Sequence, residues 1–463
     1  MVACQKTPQN TLSLKKSRVE FPYTIDTMDV VVRSNNPWAA LSNSDWCTVL
    51  PSPCDSVLRL AVVPNKTPNL RQTTILVTSA DLSASFIALQ NACPAPDYYR
   101  HEDSLAMIEI YNNCGGENWK TIENFAPVPT WEPNKPITSW RGVATALIDN
   151  SLRVRSISLQ GAGLKGRLPR AINNLSELNA LFLGGNTELQ SPIEVLSHQM
   201  KLEVLDLSSA SYEIQSIDEL GALENLVFLN LDGAKINQSW LAQMAEMKKL
   251  QYLSLVGCGI ERGVPQQFRG LTHLSSLNLS DNPLKGPIPA WINELVNLEE
   301  LDLSLCLLVG EIPNSICDLT RLKTFKAGLN FYNGSLPSDI GRLTKLEVLN
   351  LSECGLLGQI PPTIGNLSEL TYLDLSFNYI EGQIPVEIAN LSRLESLILT
   401  GNRLSGTIDR AIVESKLWKG WWPSSLICPQ QTGSGFTNCD KINNQGNDQE
   451  WKDESSGGYI GRR

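Results

Sequence analysis

Apolar and polar positions along this chain follow more than one period. From Val154 to Leu417 a leucine pattern returns with a 24-residue period that never slips. The first position of each unit is Val154, Leu178, Leu202, Leu226, Leu250, Leu274, Leu298, Leu322, Leu346, Leu370 and Leu394, so eleven units follow one another without a gap. A fixed period of this length marks stacked repeats, in which each unit buries its apolar side against its neighbours.

One unit shows the logic. Leu370, Leu373 and Leu375 alternate as a short strand, followed by Asn378, Ile380, Gly382, Ile384-Pro385, Ile388 and Leu391. Side chains of a strand point alternately to its two faces, so the second, third and fifth positions of a unit are predicted to face outward on a concave sheet. The Asn position predicts a sharp turn, where a buried amide satisfies freed backbone groups. It recurs as Asn186, Asn282, Asn330 and Asn402, and Cys258, Cys306 and Cys354 replace it in three units. A glycine and a proline three places apart follow the strand at Gly166/Pro169, Gly286/Pro289, Gly310/Pro313, Gly334/Pro337, Gly358/Pro361 and Gly382/Pro385. Proline suits an extended convex segment that needs no amide donor. The units starting at Leu178, Leu202 and Leu226 lack this pair, the unit at Leu250 shifts its glycine to Gly263, and the last has Asp409 in place of proline. The convex side is predicted to be irregular there.

Before the repeats the pattern changes. Residues 18–93 carry short runs suited to strands, such as Leu58–Val63, Thr74–Val77 and Phe86–Leu89, separated by turn-forming clusters. They predict a small all-β sandwich. Residues 98–153 predict a cap: Leu105, Ile108 and Tyr111 have helical spacing, and Gly115-Gly116 ends the helix. Trp119, Trp131 and Trp140 are read as the apolar cover that a terminal repeat needs. Residues 418–442 predict a second cap, with Trp418, Trp421 and Trp422 as cover and Cys428 with Cys439 as candidates for a disulfide. Residues 1–17 read as a linker and 443–463 as a disordered tail.

Several of these features resemble known families. Trp38, Asp45-Trp46-Cys47-Thr48-Val49, Asn65, Arg71 with Thr74-Ile75, and Leu89-Gln90 resemble the BACON family of immunoglobulin-like modules near the N-termini of Bacteroidetes surface proteins. That resemblance implies a carbohydrate- or mucin-binding module or a spacer; Trp38 and Trp46 are then either a sugar-stacking platform or core. The 24-residue unit resembles the plant-type leucine-rich repeat, and Asn118-Trp119, Trp131 and Trp140-Arg141-Gly142-Val143 resemble its N-terminal cap. The resemblance implies a right-handed solenoid, capped at both ends, with a parallel β-sheet on its concave face. Met1-Val2-Ala3-Cys4 resembles the tail of a bacterial lipoprotein signal, which implies a lipid on Cys4 and an outer-membrane surface or periplasmic location.

Composition narrows the chemistry. A net charge of −10 over 463 residues disfavours nucleic acid as partner. No apolar run approaches the length of a membrane-spanning helix. Three histidines and no Cys-x-x-Cys pair give no zinc site, and neither a nucleophile elbow nor a phosphate loop is present. We therefore expect a non-catalytic surface protein without cofactor or metal, acting as a monomer that recognises a protein or glycoprotein through its concave face. The alternatives are a carbohydrate binder and a structural surface component. Phe182, Phe228, Tyr252, Glu299, Asp302, Tyr372, Asp374 and Phe377 are the candidate contact residues. An apolar and aromatic patch beside an acidic stripe suits partner binding.

Overall fold

The computed structural model describes residues 10–23, 26–51, 56–65, 67, 69–92, 102–119, 131, 137–148, 151–190, 195–196, 198–209, 220–415, 427–428 and 430–437. Two compact units divide the chain, residues 1–180 and 181–463.

The first unit begins with eight strands: β1 (Leu12–Leu14), β2 (Arg18–Phe21), β3 (Asp26–Ser34), β4 (Ala39–Ser42), β5 (Cys47–Leu50), β6 (Val57–Val62), β7 (Arg71–Ser79) and β8 (Leu82–Gln90). They form two sheets, β1-β3-β6-β5 and β2-β8-β7-β4. Alternation sets the inward faces. Leu58, Leu60 and Val62 of β6 and Ile75 and Val77 of β7 join Phe21 and Phe86 in one core. The first sheet is antiparallel throughout. In the second, β4, β7 and β8 are antiparallel neighbours, but β2 runs parallel to β8. Among the described residues the regular structure here is all strand, yet this sheet is mixed, unlike the antiparallel sheets of the immunoglobulin-like sandwich expected from the sequence.

The same unit continues with helix α1 (Glu102–Asn113). Its buried side carries Ala106, Met107 and Ile110, and Gly115 follows with φ of 74°. Glycine enters that left-handed region without a Cβ clash. Near the start of α1, Asp103 is fully buried. Its carboxylate accepts from Arg153 Nη2 at 2.8 Å and from the Val154 amide at 2.7 Å. Trp119, Trp131 and Trp140 are all buried. Trp131 lies edge-on to Trp119 at 4.9 Å and stacks with Trp140 at 5.1 Å. Both buried indoles have acceptors: Trp119 Nε1 donates to Cys114 O at 2.8 Å and Trp131 Nε1 to Arg141 O at 2.9 Å.

In the second unit, three-residue strands recur from Val204–Asp206 to Ser396–Ile398 and pair in parallel, each with its counterpart in the next repeat. Behind them lie short 3₁₀ turns such as Gln266–Gly270, Ala290–Glu294, Asn314–Asp318, Pro362–Asn366 and Val386–Asn390. Each is entered from a proline with φ between −58° and −75°, which suits the ring. The predicted irregularity is visible at Gln238–Met244, where a short α-helix capped by Asn237 replaces the turn. Asp409, standing where proline is expected, caps the helix Arg410–Glu414 by accepting from the Ala411 amide at 2.8 Å.

The ladder position behaves alike for amide and thiol. Asn330 Nδ2 donates to Leu303 O and Ala327 O, each at 2.9 Å, while its Oδ1 accepts from Cys306 N and Leu308 N. Cys306 Sγ–H donates to Leu279 O at 3.1 Å, in the preceding repeat, which is the same relation Asn330 has to Leu303. Cys258 and Cys354 repeat it toward Leu231 O and Ala327 O. Burial pushes all three thiols up to about 12. The residue just before each ladder position has a left-handed backbone: Ser209, Gly233, Gly257, Asp281, Leu305, Leu329, Glu353, Phe377 and Gly401 all have φ between 52° and 78°.

Candidate partner-binding face

The outer face of the parallel sheet carries the third and fifth positions of each unit. Parallel register sets equivalent residues of successive repeats side by side, which gives a third-position column Val204, Phe228, Tyr252, Ser276 and Glu300. Phe228 and Tyr252 are half-buried and stacked, with ring centroids 4.2 Å apart and planes 6° from parallel. Tyr252 is bonded to Ser254, whose Oγ donates to Asp232 Oδ1 at 2.6 Å. Burial raises the Tyr252 phenol above its ordinary range, and the carboxylates of Asp232, Glu300 and Asp206 push it the same way.

Sequence pattern groups Phe182 with these two rings, and the structure separates it from them. Phe182 occupies the fifth position of its unit, so its equivalent in the next repeat is Asp206 and not the third-position residue in line with Phe228. A two-residue offset leaves a side chain on the same face but in the next column.

The fifth-position acids also change meaning. Asp302 Oδ1 accepts from the Ser304 amide at 3.0 Å, and Asp374 Oδ1 from the Ser376 amide at 2.9 Å. Asp374 also receives the Ser376 and Tyr372 hydroxyls and is 8% exposed. Asp206, Asn230, Asn278 and Asn350 make the same bond two places ahead. These side chains therefore hold the end of each strand, an Asx-type turn that alternation alone does not reveal. Asp302 and Asp374 are structural acceptors before they are contact residues. Tyr372 is half-buried, with its hydroxyl spent on Asp374.

Two further candidates lie away from the ring pair. Glu299 precedes its strand and pairs with Lys323 at 2.6 Å, which holds its carboxyl below the usual range. Phe377 is 62% exposed but sits beyond its strand, at the left-handed turn with φ of 52°. With Tyr379, Thr400, Gly401, Gln430 and Gln431 it lines an open cavity of about 460 Å³. The glutamines there are engaged: Gln431 Nε2 donates to Asn378 O and Gly401 O, and Gln430 Nε2 to Leu399 O. Sequence reading missed both, although glutamine amides suit the open carbonyls of a terminal repeat.

In the first unit, Trp38 and Trp46 are half-buried and packed against the sandwich core. The Arg71 guanidinium lies 4.6 Å from the Trp46 ring centroid. Cys4, Cys439 and the tryptophans at 418, 421 and 422 lie outside the described residues, while Cys428 is disulfide-bonded. Among the described residues no helix is long and apolar enough to cross a membrane, and no group of three or more His, Cys, Asp or Glu could hold a metal ion.

Comparison with known proteins bears on the repeats. Residues 248–308 and 344–404 match the family model described as "Leucine rich repeat". A stretch of 72 residues is 42% identical to a probable leucine-rich repeat receptor-like protein kinase of Arabidopsis thaliana, covering 15% of this chain and 7% of that protein. Among solved structures, the ectodomain of the Arabidopsis thaliana receptor kinase GASSHO1/SCHENGEN3, in complex with Casparian strip integrity factor 2, aligns with a TM-score of 0.56 at 30% identity. That alignment covers 67% of this chain and 36% of the receptor chain. The ectodomain of the Arabidopsis receptor kinase HAESA, in complex with a peptide hormone ligand, aligns with a TM-score of 0.52 at 25% identity over 66% of this chain and 54% of that one. The chain thus spans about a third to a half of the receptor structures it resembles. Together with the constant repeat register and the asparagine–cysteine ladder, these matches show that the chain carries a leucine-rich repeat domain, with plant receptor ectodomains among its structural neighbours.

Proposed function

We propose that this is a non-catalytic recognition protein that holds a peptide or protein partner on the concave sheet of its repeats. The observation that carries this reading is the stacked, half-exposed pair Phe228 and Tyr252. Aromatic side chains bring large contact area with few rotors to freeze, which is why they anchor interfaces. The two receptor ectodomains compared above are in complex with partners of this class, which supports the reading. We place the partner outside the cell, with the N-terminal sandwich acting as a spacer.

The test is capture from cell-surface and secreted material by the immobilised full chain. The Phe228→Ala, Tyr252→Ala double variant, shown by circular dichroism to be folded, serves as the control. Loss of the captured partner in the variant supports the site. An undiminished catch would move the site elsewhere.

A further inference from the structure

The charge around the ring pair is one-sided. In the five units from Leu202 to Leu305, the second to eighth positions hold seven acidic residues and no lysine, arginine or histidine. The nearest basic residues in sequence, Lys235, Lys248, Lys249 and Arg262, stand outside those positions, and the concave strands next carry cations at Lys323 and Lys326. Phe228 and Tyr252 lie in the middle of this stretch, whose last unit has Glu299 paired with Lys323 of the next.

The acids nearest the rings are partly spent and partly available. Asp206 is buried and accepts from the Ser208 amide. Asp232 takes both the Ser254 hydroxyl and the Val256 amide on Oδ1, which leaves Oδ2 with no donor among the described residues. Glu300 is exposed and takes the Ser276 hydroxyl on Oε2, which leaves Oε1 in the same state. A carboxylate has room for about four acceptor bonds, so both retain capacity toward an incoming donor. Two aromatic faces flanked by such carboxylates are complementary to a cation. The rings attract it through their quadrupole, and the carboxylates take its N–H groups.

We infer that the surface around Phe228 and Tyr252 docks a peptide segment through an arginine or lysine side chain, laid against the ring pair and bonded by Asp232 and Glu300. This rests on the reading of the concave face as a recognition surface and adds the chemistry it selects. A neutral or acidic segment would leave the field unbalanced and the free carboxylate oxygens desolvated without donors, which penalises it.

Panning a phage-displayed library of random dodecapeptides against the full chain supplies the probe. Selected sequences are expected to be enriched in arginine or lysine. Resynthesised with citrulline in place of the enriched arginine, which keeps the shape and removes the charge, they should bind about tenfold more weakly or worse, an effect near 1.4 kcal/mol. In Glu300→Gln, and in Asp232→Asn where it folds, the gap between the arginine and citrulline peptides should narrow while the citrulline peptide binds as before. Peptides lost on Phe228→Ala that carry no basic residue, or that tolerate citrulline, would overturn the cation and leave the recognition face standing. Enrichment of peptides indifferent to Phe228→Ala and Tyr252→Ala, or of none, would overturn both.

Discussion

Phe228 and Tyr252 stack because their strands, one repeat apart, pair in register, so the ring contact is set by the same period that sets the fold. Parallel neighbours in a sheet lie about 4.8 Å apart, close to the ring spacing the pair adopts. The contact should therefore contribute to stability as well as to recognition. A double-mutant cycle with Phe228→Ala and Tyr252→Ala, followed by urea unfolding, is expected to give a coupling of about 0.5–1.5 kcal/mol. Strict additivity would mean that the rings touch without helping each other.

Asp103 and Arg153 form a buried ion pair in the first unit, with side-chain exposures of 0% and 16%. Removing one partner strands the other. Asp103→Ala is expected to destabilise the first unit by about 3–5 kcal/mol, because Arg153 and the Val154 amide lose their acceptor together. Arg153→Met, which keeps an apolar stem, leaves the buried Asp103 carboxyl without its guanidinium donors and should be nearly as costly. Thermal unfolding followed by tryptophan fluorescence reads this, since Trp119, Trp131 and Trp140 pack together in the same unit.

The ladder thiols make stability depend on alkaline pH. Cys258, Cys306 and Cys354 are raised from about 9 to about 12 by burial. The folded state therefore keeps protons that the unfolded chain releases, so their contribution is complete below pH 9 and is lost as pH rises from 9 toward 12. Urea midpoints should be flat with respect to these groups at neutral pH and fall above pH 9. Cys306→Asn, which installs the amide used by other units, should reduce that alkaline slope. The same three thiols are expected to resist a thiol reagent at pH 8 until the chain unfolds.

Asp374 tests the reassignment of the fifth-position acids. Asp374→Asn keeps the acceptor for the Ser376 amide, as Asn350 does for Ser352. It should change stability by no more than about 0.5 kcal/mol. Asp374→Leu removes the acceptor and is expected to cost about 1–3 kcal/mol. Equal effects of the two substitutions on calorimetric stability would show that charge, and not the turn, is what this position supplies.

The left-handed turn position offers a gain of stability. Leu329 has φ of 59° and is 40% exposed, so it bears backbone strain with little burial in return. Leu329→Asn should raise stability by up to about 1 kcal/mol, and Leu329→Val should lower it by about as much. A Val variant as stable as the parent in urea would contradict the strain.

The register of the repeats was legible in the leucines because a fixed period leaves no freedom in how strands pair. The ladder thiols were legible for the same reason, since Cys258, Cys306 and Cys354 fall on the asparagine position. What failed was finer than the period. Phe182 groups with Phe228 by pattern although it stands two places later in its unit, because alternation assigns a face and not a column. Asp302 and Asp374 looked free because the amides they accept belong to a turn beyond the strand. The parallel β2–β8 pair left no trace, since inward and outward residues alternate alike in parallel and antiparallel strands. The handedness of the turn was invisible because leucine, glutamate and phenylalanine stand there alongside glycine, so no single residue type marks it.

That turn has a consequence for how such a surface changes over time. Serine, aspartate, glutamate, leucine, phenylalanine and glycine all stand at it with nearly the same backbone. The ladder and the strand pairing around it hold that backbone whatever residue stands there, with strain where the residue is a bulky one such as leucine or phenylalanine. A row of such places, one per repeat, is where new surface can be written without rewriting the scaffold beneath.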